Sequence, residues 1–232
     1  MNLLKKSYLL SAALVALSVI PSFAADIEQP RTFRPYIGVF GGFDFLPGIS
    51  ATDEFSFFGF GGGPGTLNSK VGDFGGATIG FELGDAWRVE AELSRSYNAV
   101  QNFTFNNGNV NTYKDGAVNQ TYALANVWYD FHNESAFVPY IGGGIGAGWA
   151  DGNLDMGNGA FVNATSSTAF AFQVGAGVKF DVSDQFAIDL GYRFKGMTGL
   201  NPTVTTNLGG PDHLDQNTIV AHFVQIGATL RF

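Results

Sequence analysis

The chain has 232 residues, with 32 glycines, 23 phenylalanines and no cysteine; 45% of its residues are hydrophobic and its formal charge is -8. The absence of cysteine excludes a disulfide framework, and the acidic balance disfavours nucleic acid and heparin-like polyanions, which select clustered lysine and arginine. Such a composition fits either a soluble all-β sandwich or a membrane β-barrel.

In chain order, Lys5 and Lys6 precede an apolar run from Leu9 to Ile20, and Ser22-Phe23-Ala24 supplies small residues where a signal peptidase reads them. Residues 1–24 therefore read as a secretory signal peptide, and residues 25–33 as a short segment ahead of a folded unit spanning 34–232. Removing 1–24 removes two bases and no acid, which leaves ten bases against twenty acids. No other stretch reaches the roughly 18 consecutive apolar residues that a spanning helix needs.

Eight segments then alternate with period two, which predicts strands with two chemically different faces. They are 34–45, 71–83, 87–97, 119–131, 137–150, 168–182, 186–196 and 218–232. In the third, Trp87, Val89, Ala91 and Leu93 alternate with Arg88, Glu90, Glu92 and Ser94; in the seventh, Phe186, Ile188, Leu190, Tyr192 and Phe194 alternate with Ala187, Asp189, Gly191, Arg193 and Lys195. For the fourth, Ala123, Ala125, Val127 and Tyr129 are assigned outward and Asn126 and Asp130 inward. Connections 84–86, 132–136 and 183–185 are short, whereas 46–70, 98–117, 151–167 and 197–217 are long. Three tight turns at one end and four long loops at the other describe an antiparallel up-and-down meander closing into an eight-stranded barrel, an arrangement a sandwich has no reason to adopt.

The fifth segment, FVPYIGGGIGAGWA, contains Gly142, Gly144 and Ala147 at the spacing of a dinucleotide-binding turn. That reading requires a helix to follow. Alternation instead puts Tyr140, Gly142, Gly144, Gly146 and Gly148 on one face and Ile141, Ile145, Ala147 and Trp149 on the other. Small residues on the inner face leave room for large neighbours in a narrow barrel.

Inward phases carry Glu82, Glu90, Glu92, Asp130 and Asp189 against Arg88, Lys179, Arg193, Lys195 and Arg231, five of each sign. Such balance predicts a plug of mutually paired charges, since side chains just fill an eight-stranded interior. The excess acid then falls in the long loops, at Asp53, Glu54, Asp115, Asp151, Asp155, Asp212 and Asp215 against Lys70 and Lys114. In 151–159, Asp151, Asn153 and Asp155 imitate the start of a calcium loop, but Met156 and Val162 replace its glycine and glutamate, so a solvated loop is expected. His132, His213 and His222 have no serine or cysteine with an acidic orienter close in sequence, and neither a catalytic site nor a cofactor or metal site is expected. The first long loop holds Phe55, Phe57, Phe58 and Phe60, which read either as an exposed partner site or as a rim that folds back into the headgroup region or packs over the barrel mouth.

VPYIGGGIGAG, then AFQVGAGVKFDVSDQFAIDLGYRF, then QIGATLRF, together resemble the opacity and OmpA-like eight-stranded outer-membrane barrels of Gram-negative bacteria. The family's PY-x-GGG-x-G pattern matches Pro139 to Gly146, and its D-x-GYR-F pattern matches Asp189 to Phe194. The resemblance implies an outer-membrane location, with residues 25–33 and the short turns in the periplasm and the long loops outside, among lipid and lipopolysaccharide. Family members are surface antigens, adhesins and envelope-stabilising proteins, and a few conduct weakly. The expected function is thus a non-enzymatic surface protein serving envelope integrity, adhesion or host contact through a host or matrix ligand. A narrow pore and a lipid-modifying barrel enzyme are the alternatives. No peptidoglycan-binding domain follows Phe232, so cell-wall anchoring is not implied. The terminal Phe232, with Leu230 on the same phase, resembles the signal by which barrel insertion machinery recognises its clients.

Overall fold

The computed structural model describes residues 33–53, 63–155, 161–206 and 217–232. The predicted signal peptide, most of 25–33, Phe55, Phe57, Phe58, Phe60, Glu54, Asp212, His213 and Asp215 lie outside these residues. Thirteen strands are present among the described residues, and the segments between them are turns and irregular backbone. Eight form a closed ring in the order β1 (Phe33–Phe45), β4 (Gly72–Leu83), β5 (Trp87–Phe105), β7 (Asp115–Asp130), β8 (Phe137–Asp155), β10 (Ala169–Asp181), β11 (Phe186–Thr198) and β13 (Thr218–Arg231). Closure is made by β13 pairing antiparallel with β1, from Tyr36 opposite Arg231 to Phe45 opposite His222. The predicted eight-stranded meander is therefore the fold, with β1 beginning one residue before its expected start.

Alternation sets the two faces. In the fourth barrel strand, Asn126 and Asp130 are each 2% exposed while Val127 is 46% exposed, which fixes the phase; Tyr122, Leu124 and Trp128 share the inner face. Outside, Ile37, Ile79, Leu93, Ile141, Ile145, Val174, Leu190 and Ile226 form a continuous apolar belt. Water would not tolerate a patch of this extent, whereas lipid requires it. Aromatic pairs edge the belt at the turn end: Phe33 stacks on Phe81 at 4.4 Å, Trp87 meets Tyr129 at 4.9 Å and Phe137 meets Phe180 at 5.0 Å. Phe43 stands ten residues beyond Phe33 on the same phase; with a tilted strand this is about 26 Å of height, close to the expected apolar band of such barrels. Gly84, in the turn before β5, has a φ of 61°, a conformation that glycine adopts without strain.

Among the described residues, parts of all four long connections are ordered as sheet. β2 (Ile49–Asp53) and β3 (Gly63–Ser69) occupy 46–70, β6 (Val110–Thr112) lies in 98–117, β9 (Phe161–Ser166) in 151–167 and β12 (Pro202–Thr206) in 197–217. β5 and β8 also run on for 19 residues each, well past the ~9–11 that cross a bilayer. Consequently Asp115, Asp151 and Asp155, expected in loops, stand in β7 and β8, and Asp53 lies in β2. Asp151, Asn153 and Asp155 pair with Thr165, Asn163 and Phe161 of β9, so 151–155 is neither a solvated loop nor a calcium loop. The physical reason is that Thr-, Val- and Asn-rich flanks satisfy their backbone by extending existing ladders. Above the belt the wall runs β2–β3–β5–β7–β8–β9–β12, an open curved sheet on one side of the ring.

The glycine-rich fifth segment is an uninterrupted strand, β8, rather than a nucleotide turn. A Cβ on Gly142 would lie 2.2 Å from the Val127 carbonyl oxygen and 2.5 Å from the Trp128 ring, and one on Gly144 would lie 1.9 Å from the Asn126 side-chain oxygen. Bulk is thus excluded where large inner side chains of β7 cross the lumen. Gly142→Val should cost about 1–3 kcal/mol by overpacking and reduce the folded band in unheated gel samples. Gly75→Ala, where the nearest contact is an ordinary 3.5 Å, should leave that band unchanged.

Candidate functional site

The lumen is built in layers from the turn end upward. At the bottom, Arg231 donates to Glu82 at 2.8 Å and to Asp181 at 2.6 Å. Lys179 donates to Asp130 at 2.7 Å, and Arg88 clasps the same carboxylate through Nε at 3.0 Å and Nη2 at 2.9 Å. Asp130 therefore faces two cations in a site where it is almost fully enclosed.

In the next layer Glu90 accepts from Tyr36 at 2.7 Å, from Trp128 at 2.8 Å and from Asn126 at 3.1 Å. These donors are neutral, so the expected pairing with an opposite charge does not describe Glu90. Arg193 lies over the Trp128 ring at 4.0 Å and donates to the Tyr140 hydroxyl at 3.2 Å, which in turn donates to Asp189 at 3.1 Å. A tyrosine thus relays between the two charges.

Above it Glu92 is bonded to Lys195, and accepts from Ser94 and Gln173 at 2.8 Å and from Asn126 at 3.0 Å. Lys195 is wholly buried, with Phe223, Tyr122, Phe40 and Phe74 around its ammonium at 5.1 to 6.0 Å. Ring faces, one carboxylate and the Ser94 hydroxyl, to which Lys195 donates at 3.0 Å, replace its water. All ten predicted lumen charges lie on inward phases. Their partners depend on sheet register, which alternation does not reveal.

The uppermost layers depart from expectation. Phe74 packs edge-on to Phe223 at 4.8 Å, and beyond them Leu46, Ile49, Val100, Val118, Met197, Leu200 and Ile219 form one apolar cluster. The lumen is therefore a charged plug in its lower half and a mainly hydrophobic core in its upper half, with Asn98 and Gln120 buried among the apolar side chains. Asp44, absent from the predicted set, is buried within this upper region beside Asn98. Its signal was present in the sequence, since Phe43 and Phe45 face outward and force Asp44 inward.

A vestibule of about 570 Å³ opens at the turn end and is lined by Arg34, Glu82, Arg88, Asp130, Lys179 and Arg231. At mid-lumen the space shrinks to a gap of about 30 Å³ beside Glu90, Asp189 and Arg193. His132 is exposed in a turn, and His222 faces outward, its Nδ1 2.6 Å from the Tyr192 hydroxyl. Among the described residues no group of three His, Asp or Glu side chains is placed to hold a metal. On the outer surface Arg95 pairs with Asp151 at 3.2 Å and Lys114 with Asp155 at 3.9 Å, both exposed. Leu230 is half-buried opposite Ile37 and Phe186, and Phe232 is exposed, its backbone N–H donating to Pro35 at 3.0 Å.

The closed ring, apolar belt and charged interior agree with a sequence match over residues 10–232 to the outer membrane protein β-barrel domain. The chain belongs to that family. Its location is the outer membrane of a Gram-negative bacterium, with the short turns periplasmic and the extended strands outside. It is 31% identical over 134 residues to outer membrane protein PagN of Salmonella typhimurium, a match covering 52% of this chain and 55% of PagN, so it spans about half the length of that relative. In fold it is similar to Neisserial surface protein A, with a TM-score of 0.51 at 18% identity, covering 85% of this chain and 97% of the other. It is likewise similar to outer membrane protein OprG of Pseudomonas aeruginosa, with a TM-score of 0.54 at 15% identity, covering 85% and 96%.

Two measurements check the lumen. Glu92→Ala, which leaves buried Lys195 without its counter-charge, should destabilise the barrel by about 3–5 kcal/mol in urea unfolding from lipid vesicles. A Glu92→Leu/Lys195→Met double variant should lose much less, because neither charge is then stranded. In planar bilayers the refolded protein should show little steady conductance; large stable single-channel steps would contradict the filled lumen.

Proposed function

We propose that the protein is a non-enzymatic surface protein whose barrel is a rigid mount and whose outer sheet makes contacts for adhesion, host interaction or envelope integrity. The observation that carries this reading is strand length. β5 and β8 exceed the spanning length by roughly eight residues, on the order of 20 Å of ordered sheet held outside the membrane. A chain needing only to sit in the bilayer would turn back at the headgroups. The outer surface is acidic and mixed with exposed aromatics, which suits a host or matrix protein better than a polyanion, and Phe55, Phe57, Phe58 and Phe60 belong to the same connection as β2 and β3. Lipopolysaccharide surrounds the belt as solvent in this reading.

The test is replacement of 49–69, 101–114, 153–166 and 199–217 by short turns, singly and together, in a non-adherent strain, scored for binding to host cells and matrix proteins. Loss of binding with retention of the folded barrel is expected. Binding and envelope phenotypes that survive removal of all four would remove the support for a contact function.

Assembly is the second element of the reading. Phe232 and Leu230 end the last strand on its lipid-facing side, where barrel insertion machinery would meet an aromatic after alternating apolar residues. Deleting Phe232 should lower the folded protein in outer-membrane fractions while signal cleavage after Ala24 continues. An undiminished folded band would reject the role.

A further inference from the structure

Within the membrane the sheet has no edge, but outside it the sheet formed by the described residues has two. Among the described residues β2 is paired only with β3, and β12 only with β9, so the curved outer wall ends in two wings, each with an open margin. An open margin presents a row of unpaired N–H and C=O groups and is a template for another strand. Proteins usually blunt such edges with charge, with proline or by keeping them short. β12, Pro-Thr-Val-Thr-Thr, is short but carries no charge, its proline stands at its first residue, and Thr203, Val204 and Thr205 favour extended backbone.

Between the wings lies an apolar cavity of about 80 Å³. Ile49 and Leu67 bound it from one wing, Val162, Ala164 and Pro202 from the other, and Leu154 from β8. Asp151, Asn153 and Ser166 also border it, but its lining is mostly apolar; one water needs only ~10–15 Å³ of such space, and the volume suits roughly one aliphatic side chain. Side chains of a strand alternate, so a segment laid along β12 would send every second residue toward this cavity and the others to solvent. β9 already does so, with Val162, Ala164 and Ser166 turned inward and Phe161, Asn163 and Thr165 exposed. An uncharged edge and an apolar socket beside it are the two halves of a strand-addition site, where the backbone supplies affinity and the socket selects a side chain.

We propose that the outer cap binds an extended polypeptide segment of a partner protein by strand addition to β12, seating one aliphatic side chain in the cavity between the wings. This rests on the surface-contact function proposed above and specifies its partner. On the outer wall Asp115, Asp151 and Asp155 stand against Arg95 and Lys114, which pair with the latter two, and the remaining negative charge favours a segment flanked by lysine or arginine.

The probe is a fluorescein-labelled peptide that alternates threonine with valine, has leucine at its centre and lysine at both ends. Its anisotropy is measured against the full barrel in lipid nanodiscs, with empty nanodiscs subtracted. Saturable binding is expected, weakened at least tenfold when the central leucine becomes aspartate and at least tenfold by Ala164→Phe, which fills the cavity. Successive N–H groups of an edge strand point alternately toward and away from its neighbour. One of Thr203→Pro and Val204→Pro therefore removes a donor from the open margin, and that variant should lose binding. Each variant's fold is checked by its heat-dependent gel shift, and the aspartate peptide keeps the cavity tested on unaltered protein. Absence of saturable binding, or binding indifferent to the aspartate peptide and to both proline variants, would overturn the proposal. So would dimerisation of the protein that these variants abolish, which would assign the edge to a second copy of the chain. Cell binding that depends on the outer segments but persists in these variants rejects strand addition alone and leaves the contact function standing.

Discussion

Everything in this molecule follows from the pairing of its last strand with its first. In hydrocarbon an unpaired backbone N–H or C=O costs several kcal/mol, and an open sheet would expose a row of them along each edge. The ladder from Tyr36–Arg231 to Phe45–His222 removes both edges at once. Closure at eight strands then fixes the radius, and the radius fixes what the inner face can hold. Large residues are admitted only opposite absent ones. Trp128 crosses the lumen where Gly142 has no side chain, and Tyr36 and Tyr140 reach the places left by Gly80 and Gly177.

A shell that excludes water also determines how its charges are held. Asp130 has two cations, Glu92 has a lysine and three neutral donors, and Glu90 is satisfied by tyrosine, tryptophan and asparagine without a direct ion pair. Each is a different solution to the same requirement, that no buried carboxylate be left without donors. Above Phe74 and Phe223 the inner face turns mostly apolar, and Asp44 is the one carboxylate buried there among the described residues, beside Asn98. Leu46, Val100, Val118 and Ile219 need no partners, so the outer half of the lumen closes by packing, as a water-soluble domain does.

How much of this was legible in the sequence follows from what period-two alternation encodes. It encodes phase, so the inward position of Lys195 and the outward position of Leu190 could be read directly, and Asp44 could have been read from its two phenylalanine neighbours. It does not encode register. That Lys195 meets Glu92, four barrel strands and more than a hundred positions away, depends on the stagger at which the ring closes. Nor does it encode where a strand leaves the membrane. Asp151 and Asp155 looked like loop residues because charge on the lipid-facing phase is forbidden in hydrocarbon, yet the same phase above the headgroups is ordinary surface. Polarity marked the edge of the bilayer and was mistaken for the edge of the strand.

The two halves of the chain consequently obey different rules. Below the headgroups closure is compulsory, and a substitution must preserve ladder, phase and inner volume together. Above them, water can satisfy a free N–H or C=O, so the sheet is released from closure and, among the described residues, ends in wings at β2 and β12. An edge that would be prohibitive thirty ångströms lower, on the order of one bilayer core, is tolerated there. Freedom to carry an edge, an apolar hollow and an acidic outer wall exists only in that upper half. Any contact surface the protein presents is there because the barrel beneath it has absorbed every constraint that the membrane imposes.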